Sequence, residues 1–179
     1  MGINRLDHIS TKKGDKGQSK NYSNESLSKD DILFETLGTI DELSALLGIT
    51  YHHTKYEQIK IIQNTLQAIN SLIATNPTNQ ERYKALRQIN EKDITFIEEQ
   101  ETKLLQQKSI EPKFHLPGTD TSKANAYFDY ARTVARRTER MMVRFINQKD
   151  RDDLSYCRSY LNRLSDLLFL LARNFESAR

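Results

Sequence analysis

The sequence predicts an all-α fold, an antiparallel bundle of long helices. Three observations carry that expectation. Apolar residues recur at helical spacing through most of the chain, only six Gly and three Pro interrupt its 179 residues, and the interruptions fall in short polar runs between periodic segments. This length suits one domain, residues 1–179, able to bury a full core.

Residues 1–29 are rich in Gly, Ser, Asn and Lys without helical or strand period, so they are expected to form a loop ahead of a bundle over 30–176. A first helix is predicted from Ser28 or Lys29 to about 53, with Asp30 and Asp31 in its first turn and Leu33, Leu37, Ile40 and Leu47 inward. A second covers 56–75 through Ile59, Ile62, Leu66, Ile69 and Ile73. After the turn Asn76-Pro-Thr-Asn79 comes a short or irregular helix around 80–88, then a weakly apolar, charged third main helix over 91–107. The stretch 109–121 holds Pro112 and Pro117-Gly118 and reads as a loop. The fourth and fifth main helices are expected over 122–147 and 152–176.

These last two helices carry ordered polar residues opposite their apolar stripes. At about 100° per residue, Tyr127, Ala131, Val134, Thr138, Met141 and Phe145 align as one stripe, and Arg132, Arg136 and Glu139 fall opposite with Asp129 and Val143. On the fifth helix Cys157, Tyr160, Leu161, Leu164, Leu168, Leu171 and Phe175 align, and Asn162, Asp166 and Arg173 fall opposite with Phe169. Arg132, Arg136, Arg140 and Arg144 at four-residue spacing also fit a solvated face laced with pairs to Asp129 and Glu139. The Val and the Phe between the charges favour a second buried side, toward a partner or ligand.

Charge is unevenly placed. Residues 1–29 hold six Lys or Arg against three Asp or Glu, whereas the remainder carries 21 of each sign. A basic N-terminal segment suits an anion such as a polyphosphate, and equally a solvated tail. Within it, Thr11-Lys-Lys-Gly-Asp-Lys-Gly-Gln-Ser19 pairs flexible glycines with lysines, a composition that lets backbone N–H groups approach phosphate, although it is not the Walker pattern. No basic stripe with interleaved aromatics extends into the helices, so nucleic acid is not expected. No run of about 18 apolar residues offers a membrane span, and Met1-Gly-Ile-Asn-Arg-Leu-Asp-His8 has no apolar signal core. Cys157, the sole cysteine, sits on a core stripe, and a reducing cytoplasm fits. His8, His52, His53 and His115 lack metal-ligand spacing, so no protein-only metal site is expected. No Ser or Cys stands in a nucleophile context, so in an enzyme the nucleophile would arrive with a substrate or cofactor.

Five segments, in order, resemble the PduO-type ATP:cob(I)alamin adenosyltransferases. They are Thr11 to Ser19; Ser28-Lys-Asp-Asp31 with Leu37-Gly-Thr-Ile-Asp-Glu-Leu-Ser-Ala-Leu-Leu-Gly48; Ile62-Gln-Asn-Thr-Leu66; Phe114-His-Leu-Pro-Gly118; and the paired motifs Ala131-Arg-Thr-Val-Ala-Arg-Arg-Thr-Glu-Arg140 and Tyr160-Leu-Asn-Arg-Leu-Ser-Asp166. The resemblance implies a ferritin-like five-helix bundle assembling as a homotrimer with active sites between subunits. It implies that Thr11, Lys12, Gly14, Asp15, Gly17 and Ser19 fold over ATP, that Lys29 holds triphosphate, and that Arg132, Arg136 and Asn162 contact the nucleotide. Glu139 would orient the arginines beside Mg²⁺ carried with ATP, Asp41 would pair with Arg132 across the subunit boundary, and Phe114 would stand under the corrin ring to displace its lower ligand. The implied reaction moves the 5′-deoxyadenosyl group of ATP to the cobalt of cob(I)alamin, forming adenosylcobalamin. A flavoprotein reductase would supply cob(I)alamin, and an adenosylcobalamin-dependent enzyme would take the product. A non-catalytic ATP- or corrinoid-binding delivery or sensor protein of the same fold is the alternative. It is motivated by three departures from the family pattern: Asn24-Glu-Ser-Leu27 for Gly-x-Arg-Val, Thr119 for the second Gly, and Asp129 for His.

Overall fold

The computed structural model describes residues 4–8, 10, 12, 14–118 and 122–175. Within them the chain runs through a 3₁₀ turn (Leu6–His8), strands β1 (Gln18–Lys20) and β2 (Ser26–Ser28), and helices α1 (Ile32–Thr54), α2 (Gln58–Ile73), α3 (Gln80–Ala85), α4 (Glu91–Gln107), α5 (Lys123–Lys149) and α6 (Ser155–Asn174). Five long helices form the bundle, and α3 is the short outlier expected near 80–88.

Local chemistry sets the helix boundaries. Asp31 is the N-cap of α1 rather than part of its first turn, its carboxylate accepting the Leu33 N–H at 2.9 Å. Asn90 accepts the Lys92 N–H at 3.0 Å while Asp93 reaches back to the Asn90 N–H at 3.0 Å, which starts the weakly apolar α4. Ser122 caps α5, and Asp150, in the left-handed region at φ 51, ends it.

The buried interior is built from Ile40, Leu43 and Leu47 of α1; Ile59, Ile62, Leu66 and Ile69 of α2; Ile97 of α4; Phe128, Ala131, Val134 and Phe145 of α5; and Leu161, Leu164, Leu168 and Leu171 of α6. On α5 two stripe members differ from the periodicity reading. Phe128 and Met142 are buried, whereas Tyr127 and Met141 are only partly so. Because α5 packs against both α1 and α6, its buried arc is wide and turned by about one residue. Tyr127 stacks instead on His53, ring centroids 4.4 Å apart. Thr138 holds its place in the stripe by donating to the Val134 carbonyl of its own helix at 3.0 Å and the Thr39 carbonyl of α1 at 3.1 Å.

Two further expectations are corrected. The N-terminal segment is not wholly a loop: β1 and β2 pair antiparallel, Ser19 opposite Leu27. Three-residue strands are too short to register as a period. The turn between them is closed by Asn21, whose side-chain oxygen accepts from the Ser23 and Glu25 N–H groups at 2.9 Å each. The second correction concerns Asp129 and Arg173, expected opposite the core stripes, which are both buried and paired with each other. Burial of two such charges is tolerable only as a pair.

The hairpin rests on the α2–α3 turn. Tyr22 N–H donates to the Ala74 carbonyl at 2.9 Å, Asn76 N–H donates to the Ser23 hydroxyl at 2.8 Å, and Arg82 donates to the Tyr22 carbonyl at 2.6 Å. Beneath that turn lies the buried Arg151, which donates to the Leu72 carbonyl at 3.1 Å and the Thr75 carbonyl at 3.4 Å, and pairs with Asp153 at 2.8 Å. Both carbonyls lie at the C-terminal end of α2, where a cation is favoured. Among the described residues no helix is long and apolar enough to cross a membrane. Arg151→Ala is expected to lower unfolding stability by about 3 kcal/mol, read as a shifted urea midpoint; an unchanged midpoint would remove Arg151 as the support of this turn.

Candidate active site

The glycine-containing loop and Lys29 form one unit. Gly17, at φ 74, occupies the left-handed region that glycine takes without strain; its N–H donates to the Gly14 carbonyl at 3.1 Å and its carbonyl accepts the Lys29 N–H at 2.8 Å. A Cβ on Gly14 would lie 2.8 Å from Lys29 Nζ, so the ammonium crosses directly over this backbone. Lys12, Asp15 and Lys29 are exposed, and Ser19 sits half-buried on β1. Thr11 lies outside the described residues. Lys149 at the end of α5 pairs with the Asp31 cap at 2.8 Å, which ties this loop to the end of the bundle where α1 begins. Partial burial works to raise the Asp31 carboxyl, but the Lys149 and Leu33 hydrogen bonds outweigh it and hold the group below its ordinary value.

The arginines stand elsewhere. Arg132 is seventeen residues before Lys149 on one helix, roughly 25 Å along its axis. Its Nε is 3.6 Å from Asp129 Oδ1 and is buried without a hydrogen-bond partner among the described residues. Asp41 lies on α1 beside a groove of 630 Å³ lined by Tyr22, Leu37, Gly38, Asn70 and Leu86. Arg132 therefore takes Asp129, not Asp41, as its carboxylate within one chain. The structure brings Lys12, Gly14, Asp15, Gly17, Ser19 and Lys29 together at one end, and Arg132, Arg136, Glu139 and Asn162 along the α5–α6 seam, without joining the two sets in a single chain.

That seam is a polar network. Asn162 Nδ2 donates to Glu139 Oε1 at 2.9 Å, its Oδ1 accepts from Arg163 at 2.9 Å, and Arg163 pairs with Glu98 of α4 at 3.1 Å. Burial raises the Asp166 carboxyl above the ordinary range and Glu139 adds to the rise, against Arg163 and Arg136. Burial, then the charge of Asp166, pushes the neighbouring Glu101 up to about 7. Glu101 escaped the sequence reading because nothing in the spacing of α4 separates it from the helix's other glutamates.

On the other side of Asp129 lies a 460 Å³ cavity lined by Lys108, Phe114, His115, Leu116, Arg173 and Asn174. Phe114 is 86% exposed at its mouth. His115 meets Phe169 edge-on at 6.1 Å, and the Arg173 guanidinium lies 5.8 Å from the Phe169 ring. An exposed aromatic over a half-apolar cavity, with a basic polar seam close by, suits a large planar ligand beside a polyanion.

Comparison with known proteins agrees. A family profile described as cobalamin adenosyltransferase matches residues 9–175. The chain belongs to the cobalamin adenosyltransferase family. It is 36% identical over 177 residues to the human corrinoid adenosyltransferase MMAB, covering 94% of this chain and 69% of that protein. To a corrinoid adenosyltransferase of Citrobacter freundii it is 32% identical over 176 residues, covering 94% and 95%. Among solved structures, a phenylalanine-to-alanine variant of the PduO-type ATP:corrinoid adenosyltransferase from Lactobacillus reuteri, complexed with cobalamin and ATP, superposes with a TM-score of 0.81 at 28% identity, covering 93% of this chain and 92% of that one. The six α-helices among the described residues of this adenosyltransferase thus match the PduO-type fold.

The raised Glu101 has a measurable consequence. Its proton is held more tightly folded than unfolded, so its contribution to stability is fully present below the ordinary glutamate value of 4.5 and is lost as pH rises toward about 7. Glu101→Gln is expected to remove that decline from the stability–pH curve. A parallel curve in the variant would place Glu101 in ordinary solvent.

Proposed function

We propose that this adenosyltransferase moves the 5′-deoxyadenosyl group of ATP onto the cobalt of cob(I)alamin in a site assembled between neighbouring copies of the chain, three copies forming a homotrimer. The observation that carries the assembly is the separation of the glycine loop from the arginine seam within one chain. Asp41, exposed on α1, pairs with Arg132 of the next copy, and the loop of one copy closes over a triphosphate held by Arg132 and Arg136 of its neighbour.

In the reaction the cobalt of the substrate is the nucleophile. Its electron pair attacks C5′, the C5′–O bond breaks, and triphosphate departs with the bonding electrons, giving adenosylcobalamin. No protein base is needed. The chain supplies position and countercharge. Thr11, Lys12, Gly14, Asp15, Gly17, Ser19 and Lys29 cradle the phosphates. Asn162 contacts the nucleotide while Glu139 orients it through their mutual hydrogen bond. Mg²⁺ would accompany ATP, where Glu139 would be the adjacent carboxylate and the ion would add countercharge on the phosphates. Phe114 stands beneath the corrin and displaces its lower axial ligand. A flavoprotein reductase delivers cob(I)alamin in the cytoplasm, and an adenosylcobalamin-dependent enzyme receives the product.

Anaerobic incubation with ATP and reduced cobalamin is expected to convert the corrinoid spectrum to that of adenosylcobalamin. Tight ATP binding by the folded assembly with no product would instead identify a delivery or sensor protein. Arg132→Ala should cut turnover about 10²-fold or more with helix content intact; near-full activity would detach this face from ATP. Phe114→Ala should chiefly harm turnover from cob(II)alamin, and an equal loss with pre-reduced cob(I)alamin would count against the proposed displacement of the lower ligand.

A further inference from the structure

The geometry points to Asp129 as a positioning residue that couples the corrinoid-side loop to Arg132, an inference that rests on the assignment of Arg132 to ATP. Asp129 is 4% exposed and sits one helical turn before Arg132. Its two carboxylate oxygens face different elements. Oδ1 is turned to Arg132 Nε at 3.6 Å; Oδ2 accepts the Gly118 N–H at 3.2 Å and pairs with Arg173 of α6. Gly118 closes the loop that carries Phe114, and it does so at φ 76, in the left-handed region where glycine is favoured. Arg173 in turn lies against Phe169, and Phe169 against His115. A continuous line of contacts therefore joins Phe114–His115 to Arg132, and Asp129 is the carboxylate in it among the described residues.

The contact with Arg132 is long for a hydrogen bond, so Asp129 attracts that arginine without holding it. A triphosphate offers Arg132 stronger acceptors. When Arg132 turns to it, the Asp129 charge is left wholly to Arg173 and the Gly118 amide, which tightens the loop under Phe114. ATP thereby firms the corrinoid side, and by reciprocity a bound corrinoid releases Arg132 toward ATP. Asp129 touches neither substrate; it acts through Gly118 and Arg132.

The test measures cob(II)alamin affinity anaerobically, without reductant, in the full chain with and without saturating Mg-ATP. In the native protein ATP is expected to tighten binding about fivefold or more, and in Asp129→Asn by less than about twofold, with Asp129→Glu recovering part of the difference. A native protein without the ATP effect, or an Asp129→Asn variant that keeps it in full, overturns the coupling. Asp129→Asn leaves Arg173 buried beside an uncharged amide, and if it fails to fold, hydrogen exchange at the Gly118 amide of the native protein decides. Slower exchange with ATP supports the coupling, and unchanged exchange overturns it. ATP affinity of Arg132→Ala keeps the two readings apart. If that variant binds ATP as tightly as the native chain, the nucleotide assignment fails and the coupling falls with it. If ATP binding needs Arg132 while corrinoid affinity ignores ATP, the Asp129 role alone fails.

Discussion

The seam between α5 and α6 carries the fold and the proposed site at once. On its inner side Ala131 and Val134 face a helix whose Leu161, Leu164 and Leu168 are wholly buried. The small alanine lets the two backbones approach, and the leucines fill the grooves between turns. On its outer side the Asn162–Glu139 hydrogen bond fixes the same register from the polar edge. A one-residue rotation of α5, about 100°, would drive Arg132 inward and pull Ala131 out. Packing density thus aims the arginines, and the site inherits its rigidity from the core.

Away from the seam, buried charge does what apolar packing cannot. The two loops of interest, the hairpin segment and the stretch 109–118, contribute little to the core. Each is anchored by a buried guanidinium at its own end of the bundle: Arg151 beneath the turn that supports the hairpin, and Arg173, through Asp129, beneath the loop that bears Phe114. Neither arginine is a cheap source of stability, since desolvation offsets most of its pairing energy. What each provides is direction, because a guanidinium presents several donors in a fixed plane and binds carbonyls and carboxylates at set angles.

Chemistry within a helical turn was legible in the sequence, and compensation between residues far apart along the chain was not. The limits of α4 and the inward residues of α2 follow from caps and spacing alone, because each depends on chemistry within one helical turn. The β1–β2 hairpin left no period to read, and its stability comes from Ala74, Asn76 and Arg82, more than fifty residues away. Asp129 and Arg173 were assigned to a polar side by angle, although each cancels the cost of burying the other; that pairing spans forty-four residues and no one-dimensional pattern reports it. The roles of Lys29, Asp41 and Phe114 rested on family resemblance. The structure adds the close passage of Lys29 over Gly14, which the motif could not reveal.

The uneven charge of the chain acquires a physical reason in the proposed site. A departing triphosphate needs several positive groups, and clustering them all on one chain would repel them from each other throughout folding. Here the basic excess resides in the first 29 residues, while the helical remainder is balanced, each charge of its seam offset by a neighbour such as Asp166, Glu139 or Asp129. Bringing the loop of one copy against the seam of the next, as proposed, would concentrate the cations only where ATP can neutralise them. In the proposed assembly ATP binding and closure of the interface would reinforce each other, so the full positive field would be assembled at the moment the leaving group occupies it.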